Sequence, residues 1–126
     1  MQEIIKKLKL KDIGIVINAP TALEEEFVKL HFKTELNKKI KNSNTLVFIN
    51  NNGEYLDFLN NNLIYIETDS VLWFAYPKGT SKVKTDINRD TIRVTGQEFG
   101  ITTVTAISIN DTWSALRFRP IDKVGK

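Results

Sequence analysis

Apolar positions along this chain alternate between two rhythms, a three-to-four spacing and short unbroken runs. Ile4, Ile5 and Leu8 share one face while Lys6 and Lys7 lie outside it, which predicts a short helix over 2–8. After the Asp12-Ile13-Gly14 turn, Ile13, Ile15, Val16 and Ile17 form a nearly continuous apolar run. Such a run suits a strand covered on both faces, as in a parallel sheet. Asn18-Ala19-Pro20 ends it. Thr21 with Glu24 three residues later matches a capping box. Leu23, Phe27 and Leu30 then give a helical stripe, with the helix placed to residue 28. Val28, Leu30 and Phe32 also alternate, so 28–32 reads as a short strand or a helix end, with the strand favoured.

Thr45-Leu46-Val47-Phe48-Ile49 is a second strand, closed by asparagines and Gly53. Leu56, Leu59, Leu63 and Ile66 recur at helical spacing and predict a helix over 54–67, although the β-branched and aromatic residues of 63–66 also fit a strand. Val71-Leu72-Trp73-Phe74-Ala75-Tyr76 is the third strand, and Pro77, lacking an N–H, is expected to stop its ladder. A basic loop over 78–84 leads to a helix capped by Thr85 or Asp86 and running to Phe99, with Gly100 at its left-handed end and Thr95-Gly96 weakening its interior. Two strands, 102–109 and 113–119, join at Asn110-Asp111, residues that tolerate tight turns.

Strands alternating with helices, then a hairpin, predict an α/β fold: a Rossmann-like, doubly wound three-layer domain with a mostly parallel sheet and a C-terminal antiparallel hairpin. The 126 residues make one domain over 1–126, with a mobile tail from 121. Hydrophobic residues at 41% and charged residues at 26% are ordinary for a globular chain and argue against disorder. Cysteine is absent, which removes disulfides, a thiol nucleophile and thiolate metal sites, and fits the cytoplasm. No apolar run reaches the ~18 residues that span a bilayer, and the first eleven residues lack a signal-peptide pattern. The net charge of +3 calls for no nucleic-acid partner. The many asparagines read as loop tolerance without chemistry.

The basic loop carries the leading candidate site. Lys78, Ser81, Lys82, Lys84 and Arg89 follow a strand and lead into a helix start, where free N–H groups and the helix dipole favour anions. Asp86 and Asp90, four apart on the expected helix, could serve as acid/base or hold a metal, or simply act as a cap and an ion pair with Arg89 or Arg93. Trp113 and Arg117 fall on one strand face and could stack a ligand, or Trp113 could be core. Arg117 and Arg119 share that face and could receive acidic groups, or could blunt an edge strand with charge. His31 has no His or Cys cluster around it, so no metal is expected. Ser114 lacks the glycines of a nucleophile elbow.

The opening helix, turn and buried strand over 8–17, and the run Asp69-Ser70-Val71-Leu72-Trp73-Phe74-Ala75-Tyr76-Pro77-Lys78 followed by a helix and reversed hairpin, resemble a class I methyltransferase Rossmann core that has lost parts. More closely, Tyr76-Pro77-Lys78, the segment 81–90, Asn18-Ala19-Pro20 and above all Asp111-Thr112-Trp113-Ser114-Ala115-Leu116-Arg117-Phe118-Arg119-Pro120 look like a bacterial domain-of-unknown-function family, number three-zero-five-two. That resemblance covers nearly the whole chain. It implies the fold and a bacterial, cytoplasmic setting, and it brings no activity. Methyltransferases place glycines after the first strand so that the backbone approaches the cofactor. Here the turn is Asn18-Ala19-Pro20-Thr21, and Glu35 stands only loosely where a ribose-binding carboxylate would. No cofactor is therefore expected. The expected function is a non-catalytic binding or interaction module on a degenerate methyltransferase-like scaffold. The alternative is an enzyme or sensor for a small phosphate or carboxylate ligand at the strand ends, with Asp86 as base.

Overall fold

The computed structural model describes residues 2–10, 14–79 and 85–124. Its helices are α1 (Gln2–Leu8), α2 (Thr21–Lys29), α3 (Asn52–Asn61) and α4 (Arg89–Glu98), and its strands are β1 (Ile15–Ile17), β2 (Thr45–Phe48), β3 (Leu72–Pro77), β4 (Ile101–Ser108) and β5 (Trp113–Pro120). One five-stranded sheet runs in the order β1-β2-β3-β5-β4. β1, β2 and β3 pair in parallel. β5 is antiparallel to β3 on one side and to β4 on the other. The sheet is thus mixed rather than mostly parallel. The reason is that β5 inserts between β3 and β4, so the terminal hairpin contributes as many antiparallel pairings as the crossovers contribute parallel ones.

Alternation along β3 builds both halves of the core. Leu72, Phe74 and Tyr76 point to α3 and α4, where Tyr55, Phe58, Leu59 and Ile92 meet them. Trp73 and Ala75 point to the opposite layer, with Leu8 of α1 and Phe27 of α2. Phe74 stands at the centre of the first half, edge-on to Tyr55, Phe58 and Phe118 at centroid distances of 5.0, 5.5 and 5.3 Å. Such pairs add about 0.5–1.5 kcal/mol each beyond area burial. Trp73 Nε1 donates to the Leu8 carbonyl at 2.9 Å and so ties α1 onto the sheet.

Several sequence expectations need correction. Thr21 is the first residue of α2 and caps nothing; Pro20 is the N-cap and its carbonyl accepts from the Glu24 N–H at 2.8 Å. No strand forms over 28–32. The chain turns there, with His31 in the left-handed region at φ 70°; Phe32 packs in the core, and Lys33 makes a single parallel bridge to Ile15. The helix expected over 54–67 ends at Asn61, followed by a 3-10 turn at Leu63–Tyr65. Pro77 remains within β3, paired with Trp113. α4 begins at Arg89, beyond Thr85 and Asp86, because Asn88 makes the capping box with Thr91. Gly100, at φ 86°, does take the left-handed position after α4. Gly96 is no mere weakness in that helix: a Cβ there would lie 2.8 Å from Phe118 Cε2 and 3.0 Å from the Tyr55 hydroxyl, so glycine lets α4 approach the sheet.

Candidate functional site

The carboxyl ends of β1 and β2 open toward α3, and asparagine side chains shape that opening. Asn18 follows β1 in the left-handed conformation at φ 61°, a position where asparagine is tolerated and most residues are strained. Its Nδ2 donates to the Phe48 carbonyl at 3.1 Å and to Glu54 Oε1 at 3.0 Å. The same Glu54 oxygen accepts from the Asn50 N–H at 2.8 Å and from Asn50 Nδ2 at 3.0 Å. Asn51 caps α3 by accepting from the Glu54 N–H at 2.9 Å. One carboxylate therefore gathers the turns after β1 and β2 into a bridge of protein groups.

Beside this bridge lies a cleft of about 630 Å³, lined by Ile17, the 34–39 loop, Phe58 and Asn62. A smaller recess of about 250 Å³ adjoins it, sharing Ile17, Phe58 and Asn62 and adding Asn18, Glu54 and Asp57. The floor is apolar, from Ile17, Leu36 and Phe58, and the walls carry Glu35, Lys38 and Lys39. The Lys38 ammonium sits 5.9 Å from the centre of the Tyr65 ring, a cation–π distance.

The loop wall is held by a buried asparagine. Asn42 is 4% exposed. Its Nδ2 donates to the carbonyls of Asn37 at 2.9 Å, Tyr65 at 2.8 Å and Ile40 at 3.3 Å, and its Oδ1 accepts from the Asn37 N–H at 3.1 Å. Backbone bonds from the Asn42 N–H to the Tyr65 carbonyl at 2.7 Å and from the Glu67 N–H to the Asn42 carbonyl at 2.8 Å complete the attachment. Lys41 Nζ also donates to the Ile64 carbonyl. Upstream, Lys33 exchanges backbone bonds with Gly14 and Val16 at 3.1 and 2.8 Å. That bridge aims the following residues, Glu35 among them, past the carboxyl end of β1.

The fold is methyltransferase-like. The chain matches the crystal structure of a SAM dependent methyltransferase from Aquifex aeolicus with a TM-score of 0.55, at 13% identity, over 93% of this chain and 87% of that one. At that identity the likeness is one of fold. No protein-family model and no curated protein sequence matches the chain.

The residues expected at the anion site are only partly assembled. Ser81, Lys82 and Lys84 lie outside the described residues. Lys78 Nζ donates to Ser108 Oγ at 2.7 Å, at the far end of the terminal hairpin. Arg89 is exposed at the start of α4 and its charge acts on Tyr76. Burial pushes the Tyr76 hydroxyl above its ordinary pKa, while Arg89 and a hydrogen bond with Ser114 pull it back. Asp86 does not share a helix face with Asp90. It accepts the Asn52 N–H at 2.8 Å at the first turn of α3, and Thr85 Oγ1 donates to the Asn50 carbonyl at 2.6 Å beside it. Asp86 thus acts as a helix-end partner, while Asp90 pairs loosely with Arg93 at 3.6 Å.

Trp113 is buried edge-on against Phe48 at 5.0 Å. Residues four apart on a strand stand about 13 Å from each other, so Trp113 and Arg117 form no common stacking platform. Arg119 makes a two-bond ion pair with Asp69, at 2.8 and 2.9 Å, and this holds the Asp69 carboxyl below its usual range. Arg117 is half-buried, with its Nε enclosed and unpartnered among the described residues. β5 is an interior strand, so these arginines blunt no edge. No helix among the described residues is long and apolar enough to cross a membrane.

Sequence reasoning named Asn18 only as part of the turn after β1 and Glu35 only as a loose counterpart of a ribose-binding carboxylate, and gave no role to Asn42, Asn50 or the rest of the 34–39 loop. The available signal was Glu35 two residues past Lys33, together with an Asn-rich composition set aside as neutral.

Proposed function

We propose that the protein is a non-catalytic binding module on a methyltransferase-like scaffold, taking a small polar ligand in the cleft between the 34–39 loop and α3. The observation that carries this reading is the Asn18–Glu54–Asn50 bridge. In a methyltransferase, glycines at the turn after the first strand leave backbone free for a cofactor. Here that turn is committed to protein partners, at 3.1 and 3.0 Å. The cleft beside it combines an apolar floor with a carboxylate and lysines on its walls, a mixture suited to fixing a polar molecule that carries both donors and acceptors. The test is amide chemical-shift mapping with a panel of nucleotides, amino acids and small carboxylates. Binding should shift Ile17, Asn62 and the 34–39 amides. Shifts centred on 50–54 with S-adenosylmethionine would overturn the reading.

A second reading, an enzyme or sensor for a small phosphate or carboxylate, draws on Arg89 beside Tyr76 at the end of β3. It requires Arg89→Ala to abolish pyrophosphate binding. Membership of family three-zero-five-two is proposed on the run from Asp111 to Pro120, and work in a bacterial cytoplasm follows from that resemblance.

A further inference from the structure

Residues 33–43 carry four lysines, Lys33, Lys38, Lys39 and Lys41, against one acid, Glu35. That balance of +3 equals the net charge of the whole chain. Within this basic segment stands Ile40, 58% exposed, and beside it Ile64, 66% exposed. They are the two most exposed large hydrophobic side chains among the described residues. The backbone brings them together. Asn42 Nδ2 donates to the carbonyls of both Ile40 and Tyr65, at 3.3 and 2.8 Å, and Lys41 Nζ donates to the Ile64 carbonyl. A parallel bridge joins Asn42 to Ile66, so each isoleucine lies two residues before one partner of that bridge. The loop and the 3-10 turn thus form one platform, with two isoleucines projecting among lysines. A single exposed aliphatic residue is ordinary, whereas adjoining ones rimmed by charge mark a contact surface.

We propose that this platform docks on an anionic lipid surface, with Ile40 and Ile64 entering the acyl boundary and Lys38, Lys39 and Lys41 at the headgroup phosphates. The lysines fix the sign of the partner's charge. The apolar part fixes its kind. Projecting aliphatic side chains need no matching pocket in a bilayer. A protein interface is anchored instead by aromatic and arginine side chains, and a single-stranded nucleic acid by stacked rings. Residues 33–43 contain no arginine and no aromatic residue after Lys33, and the Tyr65 ring is already approached by the Lys38 ammonium at 5.9 Å. Lysine stems lie along apolar surface while their ammonium groups reach outward, which lets one short loop supply both parts of the contact.

The test is co-sedimentation of the full chain with vesicles of phosphatidylcholine alone and of phosphatidylcholine mixed with phosphatidylglycerol. The chain should bind the mixed vesicles only, and high salt should release it. Replacing both isoleucines, Ile40→Ser with Ile64→Ser, should weaken that binding about tenfold. Thermal melting should stay unchanged, since both side chains are exposed. Neither residue lines the 630 Å³ cleft, so this loss is distinct from any loss of ligand there. A chain that ignores the mixed vesicles, or binds both kinds equally, would overturn the proposal. Undiminished binding by the double variant would overturn it too, by putting the contact elsewhere. Retention on polyglutamate without binding to vesicles would assign the platform to an acidic protein instead.

Discussion

Asn18 Nδ2 stands 3.0 Å from Glu54 Oε1, which joins the turn after β1 to the first turn of α3. The same two residues line the recess at the ends of the first two strands. Asn18→Gly should keep the left-handed backbone and lose both side-chain bonds, lowering stability by about 1–2 kcal/mol. Asn18→Ala should lose roughly 1 kcal/mol more, because alanine is strained at φ 61°. Urea unfolding of the two variants checks the ordering.

Asn42→Ala should destabilise by about 1–3 kcal/mol, since it removes the side-chain bonds to the Asn37 N–H and to the Asn37 and Tyr65 carbonyls, leaving the Tyr65 carbonyl only the Asn42 N–H. Hydrogen exchange should rise over 37–42 before it rises in β2. Unchanged protection there would separate the loop from this asparagine.

Gly96→Ala sets two effects against each other. Alanine gains roughly 1 kcal/mol of helix propensity. The added methyl would press on Phe118 Cε2 at 2.8 Å, and overpacking of this kind costs about 1–3 kcal/mol. The net expectation is a destabilised protein, read by thermal melting. A stabilised one would mean that α4 moves freely over the sheet.

Two groups give the protein opposite pH limits. The buried Tyr55 hydroxyl donates to the Ile92 carbonyl at 2.8 Å, and burial raises its pKa far above the ordinary 10.0. Its unfolded form ionises first, so stability should be full below pH 10 and fall as pH rises beyond that; Tyr55→Phe should flatten this alkaline loss. Asp69 is shifted the other way by its hydrogen bonds from Arg119. Its contribution should be present above the ordinary carboxylate value of 3.8 and vanish as pH falls through the lower folded value. Asp69→Asn should flatten that acid limb, as followed by fluorescence-detected unfolding across pH.

Much of the scaffold was legible because its signals are local. The run Thr45-Leu46-Val47-Phe48 needs burial on both faces, and it receives it in β2. Gly100 ends α4 because only its backbone takes φ 86° without strain. The site was less legible because its determinants are long-range. Nothing local tells Asn42, which is buried and bonded to Tyr65, from Asn60, which is exposed. Asp86 resembled a cap for the helix that follows it, but it serves α3, 34 residues earlier in sequence, at Asn52. The hairpin was visible as two strands. Its insertion of β5 between β3 and β4 depends on which faces are buried, which a pattern along one strand does not specify.

The most direct test is a thermal-shift titration of the full chain and its Glu35→Ala variant against nucleotides, pyrophosphate, small carboxylates and S-adenosylmethionine. A ligand in the cleft at ~100 times its Kd should raise the melting temperature by roughly 5–15 °C. The account predicts such a rise for at least one compound other than S-adenosylmethionine, and its loss in Glu35→Ala. Stabilisation by S-adenosylmethionine, or no stabilisation by any compound, would contradict it.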